Sequence, residues 1–224
     1  MTTFTDGIRF GEVTTDGGQI GTNGTVSDFT MVPEALSANG IALSQAVAAA
    51  GFVNLNGAKV SANSGQAILD HARRVTITSS GNDTGITFLV VGGDMYGKRV
   101  TQLVTGASGA AATTLKTFKT VASVFASGAV AGTITVGYSN AFGLPVVADQ
   151  AASVVAGPKW STVLTQDAGT FVAADVTSPA TNLTGDVRGV YTPSSVADGV
   201  KRLAILLAVR DATDQAGTFG VTQA

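Results

Sequence analysis

The single histidine, His71, limits the chemistry open to this chain. A Ser-His-Asp nucleophilic site would have to use it, yet no Gly-x-Ser-x-Gly elbow occurs. Its neighbours, Asp70, Ala72, Arg73 and Arg74, are mostly charged and lead into a candidate strand, so a solvated or capping histidine is expected. The run Gly92-Gly93-Asp94-Met95-Tyr96-Gly97 lacks the glycine spacing of a phosphate-cradling loop and reads as a hairpin loop. Asp211 and Asp214, followed by Gly217, fail as a calcium loop, because Thr213 and Gln215 hold the third and fifth positions and no closing Glu follows. The absence of cysteine removes disulfides, thiolate metal sites and thiol nucleophiles. Asp6, Asp16, Asp83 and Asp186 sit beside Gly or Thr and read as turn residues. A pair of carboxylates meeting in space could still hydrolyse glycosides, with Trp160 and Tyr191 as a sugar platform, although Trp160 reads better as a core or interface residue. No catalytic, cofactor-binding or metal-ligating residue is therefore assigned, no cofactor is expected, and the chain is expected not to be an enzyme.

The elements around these residues are short Val/Ile/Thr/Phe runs broken by Gly, Asn, Asp and Ser, densest from Arg73 to Tyr138. Turn signals at intervals of about 8–12 residues mark an antiparallel β-sandwich or barrel. Val75 and Ile77 oppose Thr76 and Thr78. Ile86, Phe88 and Val90 share a face, with Leu89 and Val91 making the opposite face apolar too. Val100, Gln102 and Val104 form a third set, and Ile134, Val136 and Tyr138 a fourth. Residues 105–114 read as a loop, and 140–160, with Pro145 and Pro158, as a long irregular connection. Further strands are expected at 161–164, 171–176 and 187–191, and at 201–209, where strand is favoured over a short helix.

Residues 1–32 read as an extended N-terminal arm, with a conventional first strand as the alternative. Pro33 to Leu36 suits one helical turn, and 41–50 is the best α-helix candidate, with Gly51 placed to end it. Asn56-Gly57 is a hairpin signal between short strands at 52–55 and 58–60. The motif Ala-Gly-Thr followed by an apolar residue, at Ala131, Ala168 and Ala216, reads as a reused turn that opens a strand. The expected fold is all-β, an antiparallel β-sandwich of Ig-like or jelly-roll-like type. An N-terminal arm with one short helix occupies 1–66 and the sandwich body 67–224.

Charged residues make up 12% of the chain, about half the ordinary ~25% share. Such a surface packs against other subunits at low desolvation cost. The net charge of −2 argues against a nucleic-acid partner. The doublets Arg73-Arg74, Lys98-Arg99 and Lys201-Arg202 are local features at candidate strand starts. No apolar signal segment opens the sequence, and the bland run at 46–53 is too short to span a bilayer, so no membrane partner is expected.

The stretch from Arg73 to Tyr138, RRVTITSSGNDTGITFLVVGGDMYGKRVTQLVTGASG and on to AGTITVGY, resembles the β-rich domain of bacteriophage virion structural proteins. The later DVRGVYTPSSVADGVKRLAILLAV resembles the closing strands of the same group. Within it the chain is most similar to head decoration, or cement, proteins. The resemblance implies a homo-oligomer, dimer or trimer, that contacts a major capsid protein on the capsid surface of the virion after synthesis in the host cytoplasm. It implies no particular binding residue. A tail or head-fibre component is the alternative within the class, and a carbohydrate-binding module or glycan hydrolase the alternative outside it.

Overall fold

The computed structural model describes residues 8–9, 13–15, 18–20, 25–148, 154–160, 165–209 and 221, with side chains described over 29–148, 167–207 and at 221. The N-terminal third contributes β1 (Ile8–Arg9), β2 (Val13–Thr15), β3 (Gly18–Ile20), β4 (Thr25–Met31), β5 (Ser37–Gln45) and β6 (Gly51–Phe52). The middle contributes β7 (Ala67–Ser79), β8 (Thr87–Gly93), β9 (Arg99–Thr105), β10 (Ala111–Ala126) and β11 (Ile134–Gly143). The remainder supplies β12 (Val154–Trp160), β13 (Thr165–Gln166), β14 (Thr170–Val172), β15 (Val190–Thr192) and β16 (Leu203–Val209). The protein is all-β, and every strand pairing is antiparallel.

A nine-stranded sheet runs β14-β15-β11-β7-β10-β8-β9, with β5 added to β11 and β6 to β10. It curls on itself, so side chains from β5 and from β7 to β11 meet in one core containing Ile41, Val75, Ile77, Phe88, Phe118, Ile134 and Val136. The alternation read from the sequence sets this core. Val75 and Ile77 are fully buried, as are Phe88, Val90 and Val136, while Thr76, Thr78, Leu89 and Val91 are only half-buried. Strand β10 is the pivot. Its first part pairs with β7 and its second with β8. Register shifts after Thr113, Phe118 and Val121 re-aim the strand between its two partners.

The five-stranded sheet runs β1-β4-β16-β12-β13. The apolar run 203–209 is a strand, paired with β4 from Leu203 opposite Met31 to Val209 opposite Thr25. Leu203, Ile205 and Leu207 join Met31, Phe142, Leu144 and Tyr191 in a second core that ties this sheet to the end of the first. Strands β2 and β3 form a separate hairpin. Of the expected arm, the described stretches are these four strands, and β4 lies between β1 and β16.

Several expectations are corrected. No helix occurs among the described residues. The chain from 37 to 45 is strand β5, and Pro33 to Leu36 forms no helical turn. A helix of about ten residues gains little alone, whereas strand β5 covers the edge of β11 and buries Ile41 and Ala42 completely. Asn56-Gly57 makes no two-stranded hairpin. Instead Asn54 to Asn56 run beside β5, where Gln45 Nε2 donates to Asn54 O at 2.8 Å and Asn56 Oδ1 accepts from Leu43 N at 2.9 Å. Gly57 is pressed against β5 so closely that a Cβ there would lie 2.3 Å from Gly40 O. Residues 111–114 belong to β10, because Ala111 to Thr113 continue the ladder with β7. Part of 140–160 is also regular, as the end of β11 and as β12. The expected strand at 161–164 lies outside the described residues.

The last third holds less ladder than expected. Strand β14 ends at Val172 and β15 begins at Val190. The 17 residues between, 173–189, form an irregular strap. The reused Ala-Gly-Thr turn does precede β11 and β14, but only Gly132 has a positive φ, +108°. Its third copy, at Ala216, lies outside the described residues.

Candidate functional site

Strand β7 carries His71 within it, not ahead of it. The imidazole meets the edge of Phe142, with ring centroids 6.4 Å apart. Burial, with help from the Arg73 and Lys119 charges and against Asp70, holds its pKa below the ordinary histidine value. The centre of this region is Arg73, which has no exposed surface. Its guanidinium lies 4.7 Å from the Phe142 ring centre and 5.0 Å from that of Tyr138. It donates to Asp70, to Glu34 O at 2.7 Å and to Ser139 O at 3.4 Å. Lys119 Nζ donates to Leu69 O and Asp70 O, both at 2.8 Å. Burial would raise the Asp70 carboxyl, but Arg73 together with the backbone N–H groups of Glu34 and His71 holds it below the usual carboxylate range. These contacts fasten the chain around Glu34 to β7.

Of the Gly92–Gly97 run, Gly92 and Gly93 end β8, paired with Val100 and Arg99, and the rest belongs to the hairpin loop 94–98 that leads into β9. Asp94 Oδ1 accepts from Tyr96 N at 2.9 Å and Lys98 N at 2.8 Å, and Gly97 takes the positive φ of +76° that the turn requires. Asp94 also does something its turn context does not announce. Its other oxygen lies 2.8 Å from an Arg188 nitrogen, and both side chains are 3% exposed. Arg188 stacks over Tyr96 at 4.7 Å, and the Tyr96 hydroxyl donates to Pro145 O at 2.6 Å.

Asp186 likewise exceeds a turn role. One oxygen accepts from Thr117 N at 2.9 Å and Thr117 Oγ1 at 2.7 Å, and the other from Arg188 N at 2.9 Å. Beside it Lys116, 3% exposed, donates through Nζ to Thr101 O at 3.2 Å and Thr181 O at 2.5 Å. Burial lowers the Lys116 pKa against the opposing charges of Asp186 and Asp175. Gln102, placed on an apolar face by its spacing, is buried as a connector. Its Oε1 accepts from Lys116 N at 3.1 Å and its Nε2 donates to Asn182 O at 2.9 Å.

Tyr191 is 3% exposed and provides no open platform for a sugar. Its hydroxyl donates to Asp167 at 2.5 Å, and burial followed by that carboxylate raises its pKa. Asp167 also accepts from Gly169 N and from the nitrogen and hydroxyl of Ser194. Burial works against its ionisation, but these donors keep the carboxyl below the usual range. Trp160 pairs by backbone with Thr165 and Leu203, and its side chain lies outside the described residues. So do Asp211, Asp214 and Gly217. Among the described residues no group of three or more His, Asp or Glu is placed to hold a metal ion.

An open groove of about 460 Å³ lies among the described residues. Leu89, Arg99 and Thr101 of β8 and β9 form one wall, and residues 179–182 of the strap the other. Sequence reasoning missed it because its walls lie about 80 residues apart in the chain and meet through contacts such as Gln102 and Leu103 to Asn182 O and Lys116 to Thr181 O. The doublet Lys98-Arg99 was the one signal pointing there. Fold and site together define an all-β protein whose buried charges hold loops to strands. Comparison with protein-family models, curated proteins and solved structures finds no significant match to this chain.

Proposed function

We propose that this protein is a non-enzymatic virion structural protein, which binds the outside of an assembled phage capsid and stabilises the shell. The observation carrying this reading is where the charge lies. The chain has thirteen Lys/Arg and fifteen Asp/Glu, and among those with described side chains seven are buried: Arg73, Lys116, Arg188, Asp83, Asp94, Asp167 and Asp186. A chain already sparse in charge thereby thins its surface further. Large apolar side chains stand exposed, with Val200 at 81%, Phe52 at 73% and Leu183 at 67%. Such a surface suits lasting contact with neighbouring subunits more than a free monomeric life. The resemblance of Arg73–Tyr138 to virion β domains supplies the setting.

The mechanism is thermodynamic. A protein that binds the expanded shell and not its precursor stabilises the expanded form by mass action. Many copies multiply a modest contact, and the N-terminal segment crossing to neighbours adds avidity. Purified protein mixed with expanded and unexpanded shells tests this. Expected are saturable co-sedimentation with the expanded form and a raised shell melting temperature. Binding to neither form, or equal binding to both, would sink the proposal. A copy number of six or twelve per virion, in place of hundreds, would move the protein to the tail or fibre. Removing residues 1–24, which keeps the β4–β16 pairing, should lower occupancy; unchanged occupancy would exclude the N-terminal segment as a shell contact.

A further inference from the structure

The groove between β9 and the strap has the makings of a specific contact point. Strand β9 ends the order of the nine-stranded sheet. The strap covers its outer edge at Leu103, whose N–H donates to Asn182 O at 2.7 Å, and Lys116 takes Thr101 O. Among the described residues no strand flanks the outer side of β9 at Arg99. The volume of about 460 Å³ falls within the ~300–1,000 Å³ of ligand sites. Leu89, Pro179 and Ala180 give it apolar walls.

Its polar character is one-sided. The carbonyls of Thr101, Thr181 and Asn182 are already occupied by Lys116, Gln102 and Leu103. Arg99 is exposed, and its side chain makes no ion pair or hydrogen bond among the described residues. The buried Lys116 ammonium holds the carbonyls of Thr101 and Thr181 from within, and the charges of Asp186 and Asp175 oppose its own, so the charge left facing outward is that of Arg99. An exposed guanidinium beside apolar walls calls for a carboxylate next to an apolar group. A nucleic-acid strand would need a row of cations, and an inorganic anion would leave the apolar walls uncovered.

We infer that this groove docks an extended acidic segment of a protein partner, its carboxylate on Arg99 and an adjacent apolar side chain against Leu89 and Pro179. The inference deepens the proposed function and rests on it only in taking the shell protein as the source of the segment.

Two arms test it. In the first, the amide spectrum of the full chain is followed by NMR while acetyl-Leu-Asp-Val-amide is added, with the Asn counterpart as control. The Asp peptide should shift the amides of Arg99, Thr101, Ala180 and Thr181 saturably, and Arg99→Glu should weaken binding by about tenfold or more. Arg99→Lys should keep part of the affinity, since it retains charge but loses the bidentate fork. In the second arm, Arg99→Glu is compared with the parent protein on expanded shells, where occupancy should fall by a similar factor. If the parent binds shells and Arg99→Glu binds them equally, the groove proposal is overturned while the shell reading stands. If the parent ignores shells, the shell reading fails and the peptide arm decides the groove: local saturable shifts support it, and their absence overturns it. Because Arg99 is exposed, its replacement leaves the core intact.

Discussion

Strand β10 and the strap 173–189 both lie against the main body, but they are fixed in opposite ways. Strand β10 is held by backbone ladders on two sides and by Phe118, Val121 and Val124 in the core. The strap has no ladder over its length and is held by isolated backbone bonds, such as Ala174 N to Ala148 O at 2.8 Å, and by buried polar side chains. Asp186 grips Thr117, Arg188 meets Asp94, and Lys116 and Gln102 grip the carbonyls of Thr181 and Asn182. A strand satisfies its backbone polar groups through its neighbours whatever its side chains are. An irregular segment must have them satisfied one at a time, by partners of the right type at the right place. The first device tolerates substitution. The second concentrates its dependence in a few charged groups.

That contrast is open to attack. The largest effect is expected from Asp94→Ala, which leaves Arg188 buried without its counter-charge and removes the acceptor of Tyr96 N and Lys98 N. A loss of about 3–5 kcal/mol in urea unfolding is expected. Replacing the pair together, Asp94→Leu with Arg188→Met, should recover much of it, and a loss below about 1 kcal/mol for the single change would mean that the pair does not hold the strap. In the ladder region Leu69→Ala, at a site 1% exposed, should cost about 3 kcal/mol by cavity formation, with no gain in protease cleavage confined to 173–189. Asp186→Ala should cost about 2 kcal/mol, since it strands the Thr117 donors. It should also speed limited proteolysis within the strap while amide exchange in β10 stays slow away from Thr117. Uniform opening of both regions would erase the distinction.

The smallest effect concerns His71. Its pKa is lowered in the folded protein, so the unfolded chain takes up this proton first as pH falls. The histidine's contribution to stability is therefore complete above the unfolded value near 6.5 and declines as pH drops from there through the folded value. Unfolding free energies measured between pH 7.5 and 5 should show this slope, and His71→Asn should flatten it. An unchanged slope would place the titrating group elsewhere.

The strands from β7 to β11 were legible because a half-buried strand repeats every two residues and this repeat is local. Val75 and Ile77, Phe88 and Val90, and Ile134 and Val136 all fell on the buried face. The helix expected at 41–50 failed because its residues suit a helix in isolation, while the reward for strand β5 comes from covering β11, about ninety residues on. Asp94 and Asp186 were legible as turn residues and were that, but their second roles were not visible. Arg188 and Thr117 stand far along the chain, the latter 69 residues from Asp186, and no periodicity links such pairs. The groove was hidden for the same reason.

The sequence by itself determined an all-β chain, the inward faces of its central strands and a surface poor in charge, because all three follow from composition and spacing within a few residues. The tertiary structure alone decided that 37–45 would be a strand, that the nine-stranded sheet would curl around its own core, and that a strap would be tied down by buried ions. Those outcomes depend on which distant groups meet. A buried carboxylate or ammonium is tolerable only where its partner arrives with it, and that condition is met in space, not along the chain.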